Sequence, residues 1–371
     1  MYRAMGLLNL HEKVFSLGDL ISMRPLAAIP FGGKYRIVDF ALSNMVNSGI
    51  YTVGALIPEE SSSLLQHLRA GKEWDLDRKQ GGLFMLAPLE NQNHMQGSGD
   101  ISYFFQHLDY LLENTKYDYV VLSTSHIICN INYTPVIDYH IKSEADMTLV
   151  YYKVPENEPD SRRNVMLTLD ENNWVTDVEV DPHTSKSRNR FMWTWILKRE
   201  LLIKLIDRAY SHGGGDFIRQ LQESIAVCKV NAYEFTGYVA NVVDIPNYYR
   251  STMALLKEKT WYDLFSPDAP IYTRDRDSQP TKYMKNAEVI NSFIANNCRI
   301  NGHILNSALF HSVVVEKDSI IKDSIVMAGA RIGKNVTLEN VICDKDVQIS
   351  DGQVLKGSLE YPLVIKKGTV I

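Results

Sequence analysis

Residues 117–130 read YDYVVLSTSHIICN. The first half is an apolar run of the kind that forms a buried strand. It ends on Ser123, Thr124, Ser125 and His126, hydroxyls and an imidazole where an acid would be useful. In an open α/β sheet, ligands gather at the C-terminal ends of strands, so chemistry is expected at this point. A hard divalent cation there needs carboxylate oxygens, which neutral hydroxyls do not replace. No second metal-type ligand stands near His126 in sequence, so it is expected to pack or hydrogen-bond at the strand end. Two arginines, Arg24 in SMRPLAAIPFGG and Arg36 in GGKYR, carry planar guanidinium forks that suit phosphate. The alternative for both is a structural salt bridge or a subunit contact. Lys34 is expected in solvent or at an interface. HGGGDF (212–217) reads as the start of a helix, SRRNV and SKSRNR as solvated basic loops, and Trp193 and Trp195 as core or interface residues.

Those residues need elements to place them. From Arg3 to about Leu256, strand-like runs alternate with helical periods. AMGLLNL and YTVGALIP read as strands. Between them Ile37, Phe40, Ala41, Met45 and Val46 recur at helical spacing, and Gly49 stops the run. ISYFFQHLDYLLEN, with Ile101, Phe104, Phe105, Leu108, Leu111 and Leu112 on one face, predicts a single helix. Such alternation implies α/β architecture, a mixed, mostly parallel sheet flanked by helices. FSPDAPIYTRDRDSQP has no periodicity and reads as a linker. Beyond it Val314, Ile320, Val326, Ile332 and Leu338 stand six residues apart, with Val341 and Val347 on a shifted phase and Ile294 and Ile300 preceding them. A six-residue apolar step is the mark of a parallel β-helix, each hexapeptide forming one side of a coil. The expected division is 1–256, a linker at 257–284, and a β-helix at 285–371.

Composition narrows the function classes. The net charge of −5 argues against nucleic acid or an anionic membrane as the main partner. Cys129, Cys228, Cys298 and Cys343 form no C-x-x-C pair, which suits free thiols in a reducing compartment. The start of the chain is too polar for a signal peptide, and no apolar run approaches a membrane span. A cytoplasmic protein is expected.

IPFGGKYRIVDFALSNMVNSGI (29–50) closely resembles the signature of the ADP-glucose pyrophosphorylases, the glucose-1-phosphate adenylyltransferases. PIYTRDRD, NAEVINSFIANNCRI and the C-terminal hexapeptides follow in that family's order, so the resemblance covers essentially the whole chain. It implies a Rossmann-like nucleotidyltransferase domain, a C-terminal left-handed β-helix and a tetramer. The family makes ADP-glucose and pyrophosphate from ATP and glucose 1-phosphate with Mg²⁺.

At the chemical positions this sequence departs from the pattern. The family's glycine-rich phosphate loop is here GLLNLHEKVFSLGDL, with only Gly6 and Gly18. The metal aspartate of Gly-Asp-His corresponds to Ser125, and that of Trp-x-Asp-Val-Gly-Thr to Asn241, with Val239 at the Trp. The Lys of Glu-Lys-Pro that grips the sugar phosphate corresponds to Asp181, between Val180 and Pro182, and the Lys of the family's Arg-Ala-Lys-Pro to Leu26. An acid at Asp181 repels phosphate. Of the sugar pocket, Asp216 and Phe217 still match. Among effector-site residues Arg24 and Arg36 match, while Met23 replaces a Lys and Pro30 a His.

An emptied site on a kept scaffold implies a regulatory, non-catalytic subunit that holds no Mg²⁺. It would pair with a catalytic ADP-glucose pyrophosphorylase subunit in a hetero-oligomer and bind a phosphorylated effector. The alternative is an active adenylyltransferase using Asp244, Asp181 or Asp19. A third reading, a hexapeptide acyltransferase using His303 or His311, leaves the N-terminal part unexplained.

Overall fold

The computed structural model describes residues 3–12, 16–59, 61–88, 101–114, 116–155, 164–182, 187–212, 215–274 and 278–371. The chain forms two compact units. The first comprises Met1–Glu12, Phe40–Ser61 and Leu68–Val239, the second Lys13–Asp39, Ser62–His67 and Ala240–Ile371. The second unit therefore draws on the early part of the chain as well as on its end. Parts of the basic clusters (161–163 and 185–186), of HGGGDF (213–214), of the segment after the first strand (13–15) and of the linker (275–277) lie outside the described residues.

The first unit is built on a nine-stranded mixed sheet. Its strands are β1 (Ala4–Asn9), β2 (Thr52–Leu56), β3 (Gly82–Leu86), β4 (Tyr119–Thr124), β5 (Met147–Lys153), β6 (Val165–Leu169), β7 (Val175–Val180), β8 (Asn189–Lys198) and β9 (Val230–Glu234). The order is β7-β6-β8-β4-β1-β2-β3, with β5 also along β8 and β9 along β5. β1 runs parallel to both β2 and β4, whereas β8 is antiparallel to β4 and β5. Near-continuous apolar sequences make the central strands, which are buried on both faces and have no solvent side to alternate with. Met5, Leu7, Val120, Leu122, Leu149, Trp195 and Leu197 meet in one buried cluster. Gly6 is required by packing, since a Cβ there would stand 3.0 Å from the Met45 sulfur and 3.3 Å from Val53.

The helix Ile37–Asn47 forms as its spacing predicts, and Gly49 ends it at φ 76°. The helix expected over ISYFFQHLDYLLEN is instead two, Ile101–Gln106 and Leu108–Glu113. The break falls at His107, whose backbone leaves the helical region (φ −112°, ψ 23°).

In the second unit the C-terminal strands stack as three five-stranded parallel sheets, a left-handed β-helix. Its corners need left-handed backbone, which Asn, Asp and Gly adopt at least cost. Asn297, Asn306, Asp318, Asp323, Asn335, Asn340, Asp346, Gly329 and Gly352 all have positive φ there. The inward positions correct the sequence phase at two places. Val326, Ile332 and Leu338 point into the coil, but Val315 and Ile321 do so in place of Val314 and Ile320. The coils are unequal: Arg299 pairs with Val314 fifteen positions on, and Val314 with Arg331 seventeen on. A strict six-step therefore slips by one residue.

Candidate functional site

In the first unit, β2 and β3 extend the sheet on one side of β1, and the chain then returns to place β4 on the other side. The crevice beyond the carboxyl ends of β1 and β4 is thus a topological switch point, where such sheets bind ligands. Asn9 and Thr124 lie in register at this edge. The strand end sought in the sequence is therefore at the right place, but an unforeseen residue occupies it. His11 donates its backbone N–H to Asn9 Oδ1 (3.1 Å), and its ring lies 3.7 Å from that of Tyr103. Glu12 follows and covers the end of β4. One carboxylate oxygen accepts the Ser125 backbone N–H at 2.5 Å, and the other meets His126 Nδ1 at 2.9 Å. Both side chains are buried, Glu12 at 5% exposure. His126 also faces Trp193, ring centroids 5.5 Å apart. Ser123 Oγ is 3.1 Å from Thr194 Oγ1, whereas the hydroxyls of Thr124 and Ser125 and Nε2 of His126 are buried without a partner.

The remaining sequence candidates serve local structure. Asp181, at φ 44°, accepts the Asn164 N–H on Oδ1 (2.7 Å) and donates its own N–H to Asn164 O (2.7 Å), closing the β6–β7 hairpin. Asp216 caps the helix Phe217–Ser224 by accepting the Arg219 N–H at 2.8 Å. Phe217 is core, 4.6 Å from the Phe104 ring. In the second unit Asn241 is buried in the strand Ala240–Asn241, its Oδ1 without a partner. Asp244 caps the helix Ile245–Ala254 through the Asn247 N–H (2.7 Å), and Asp19 lies 3.9 Å from Lys366.

The two arginines separate. Arg24 is buried, ion-paired with Asp344, and donates Nε–H to Leu20 O at 3.0 Å. Arg36 instead lines a cavity of about 650 Å³ within the second unit, together with Lys34, His67, Arg274, His311 and Lys345. Among the described residues no Asp or Glu lines it. The hairpin Phe31-Gly32-Gly33-Lys34-Tyr35 builds one wall, and its turn needs glycine: φ is 58° at Gly32 and 87° at Gly33. Arg36 is oriented by its own N–H to Asp39 Oδ2 (2.9 Å) and by donating to Ser63 O (2.6 Å). Asp39 also holds His67 Nε2 at 2.6 Å, and Arg274 donates to Gln66 O at 2.8 Å. Four cationic side chains in a concave, partly apolar site suit a phosphorylated small molecule. Sequence reasoning found Arg36 but missed His67, Arg274 and Lys345, which come from distant segments.

These two sites sit on a fold that other proteins share. A family model described as nucleotidyl transferase matches residues 17–271, and a GlmU-like C-terminal hexapeptide model matches residues 279–358. The protein is thus a nucleotidyl transferase in fold, extended by hexapeptide repeats. The glycogen biosynthesis protein GlgD of Bacillus subtilis (strain 168) is 34% identical over 359 residues, 96% of this chain and 93% of that protein. Glucose-1-phosphate adenylyltransferases of Bacillus thuringiensis (strain Al Hakam) and Bacillus anthracis are each 34% identical over 336 residues, 89% of this chain and 88% of theirs. The chain belongs to the glucose-1-phosphate adenylyltransferase family.

Proposed function

We propose that this chain is a regulatory, non-catalytic subunit of ADP-glucose pyrophosphorylase in glycogen biosynthesis. It joins a catalytic paralogue in a hetero-oligomer, a tetramer, and tunes its response to a phosphorylated effector. One observation carries the reading: the family's metal positions hold the hydroxyl of Ser125 and the amide of Asn241, and the carboxylate beside Ser125 is engaged by the Ser125 N–H and His126. That donor set does not fit a divalent cation, which asks for several carboxylate oxygens free to coordinate. Among the described residues, no group of three or more His, Cys, Asp or Glu side chains gathers to hold a metal. The relative named as a glycogen biosynthesis protein supports the pathway.

The effector belongs in the Arg36 cavity. Arg24, committed to Asp344, supports the β-helix instead. No helix of the described residues is long and apolar enough to cross a membrane.

A second reading, an active adenylyltransferase, is favoured by the relatives that carry that name at the same 34% identity. It requires substitute carboxylates, yet Asp181 and Asp244 already accept backbone N–H groups. The test is ADP-glucose synthesis by this chain alone, by the catalytic paralogue alone, and by the mixture. Silence alone with raised or effector-shifted activity in the mixture is the expected result. Mg²⁺-dependent turnover by the lone chain overturns it.

A further inference from the structure

The strand-end crevice has lost the groups that would hold a metal, and it has gained an occupant. Ser125 and His126 each offer a donor there, a backbone N–H and an imidazole Nδ1, and both go to the one carboxylate of Glu12. These are the donor types that cradle phosphate oxygens in nucleotide sites. Burying a carboxylate is unfavourable unless it is hydrogen-bonded, so the placement of Glu12 is not incidental to packing. Around it the hydroxyls of Thr124 and Ser125 and Nε2 of His126 are buried without partners, a local excess that marks a binding crevice more than a core. Backbone strain converges on the same place. Trp193, at φ 51°, has a conformation that bulky residues rarely adopt, and β8 slips register between Phe191 and Trp195. The bulge sets the indole edge-on against His126, ring planes at 73°.

We propose that Glu12 is a resident anion. Its carboxylate takes the position of a ligand phosphate at the β1–β4 switch point and closes the crevice to nucleotide and pyrophosphate. The assignment rests on the non-catalytic reading and deepens it, because the crevice is filled as well as stripped. It also states the ligand class the crevice accepts once emptied: a small oxyanion, which takes over the Ser125 N–H and the His126 imidazole.

The test is calorimetric titration of inorganic pyrophosphate into the full chain. Arg36→Ala serves as the parent, so that binding at the basic cavity is weakened and is the same in all three chains. It is compared with Arg36→Ala/Glu12→Ala and Arg36→Ala/Glu12→Gln. Glutamine keeps the length of the side chain and an acceptor for the Ser125 N–H, so the crevice stays closed. The expected result is saturable binding by the alanine variant, tighter than either other chain by about tenfold or more. Equal binding by all three chains, or none by the alanine variant, overturns the assignment. Should that variant fold poorly, Arg36→Ala/Glu12→Ser is melted in phosphate and in chloride at matched ionic strength. A melting temperature raised by phosphate beyond the shift of the parent supports the assignment, and an equal shift refutes it. Turnover by the wild-type chain would instead remove the non-catalytic reading. A silent wild type with an alanine variant that binds no pyrophosphate removes only the resident anion.

Discussion

Replacing Arg24 by alanine decides between its two roles, effector ligand and internal support. The Arg24–Asp344 pair is buried, with Asp344 only 1% exposed. Removing the guanidinium leaves that carboxylate out of water without its counter-charge. Breaking a buried pair from one side costs about 3–5 kcal/mol. Asp344 keeps one hydrogen bond, from the Lys345 N–H at 2.6 Å on its other oxygen, which places the expected loss near the lower end, about 3 kcal/mol. Against a domain stability of about 5–15 kcal/mol this is severe. At roughly 2–4 °C per kcal/mol it lowers the melting temperature by about 6–12 °C. Urea and thermal unfolding followed by circular dichroism measure it. Arg24→Met combined with Asp344→Leu should recover most of the loss, because the second change removes the orphaned charge. In the hetero-oligomer the folded Arg24→Ala chain should keep its effector response. The reasoning is refuted if Arg24→Ala unfolds within about 1 kcal/mol of wild type while effector affinity falls more than about tenfold.

Arg36→Ala should do the reverse. Loss of a charge-assisted phosphate contact, about 1.5–3 kcal/mol, weakens AMP or sugar-phosphate binding roughly 10- to 150-fold, read by calorimetry. Ile321→Ala, at a fully buried coil position, should cost about 2–5 kcal/mol, whereas Ile320→Ala, 45% exposed, should stay within about 0.5 kcal/mol in urea unfolding. Equal losses would restore the strict six-residue phase. His140 gives a pH signature. Burial first, and the Lys198 charge second, push its pKa down to about 4, and Nδ1 is held by Thr148 Oγ1 at 2.7 Å. The unfolded chain therefore binds this proton more readily than the folded one, whose neutral imidazole is favoured. That stability is present above the unfolded pKa of about 6.5 and is lost as pH falls through about 4, on the order of 3 kcal/mol in all. His140→Asn should flatten the decline in melting temperature over that window, and an unchanged slope counts against the assignment.

The sequence makes the fold legible where a period is long and repeated. The hexapeptide step and the strand–helix alternation both survive in the structure. They fail only where coil length changes, at Val315 and Ile321, and where one helical stripe spans two helices at His107. The proposed loss of chemistry rests on residue type alone: Ser125, Asn241 and Asp181 are not the groups that a metal or a sugar phosphate requires. The contact that Glu12 makes there is not legible in the sequence. Glu12 stands 113 positions from Ser125, and nothing in NLHEK announces that its carboxylate turns back onto the end of β4. The only trace is an acid within three residues of a largely buried strand, in a segment read for its missing glycines. Arg24 and Arg36 make the same point together. Twelve residues apart and equally basic, one is buried against an acid 320 positions away and the other opens onto a cavity. Side-chain type states what a residue can bind, and only its distant neighbours decide whether that capacity is spent inside the chain or left for a ligand. At the strand end the Ser125 N–H and His126 turn to Glu12, whereas Arg36 donates to Ser63 O and still lines the cavity. The proposed regulatory role asks for both features, a strand end without metal carboxylates and a basic cavity that admits a phosphorylated metabolite.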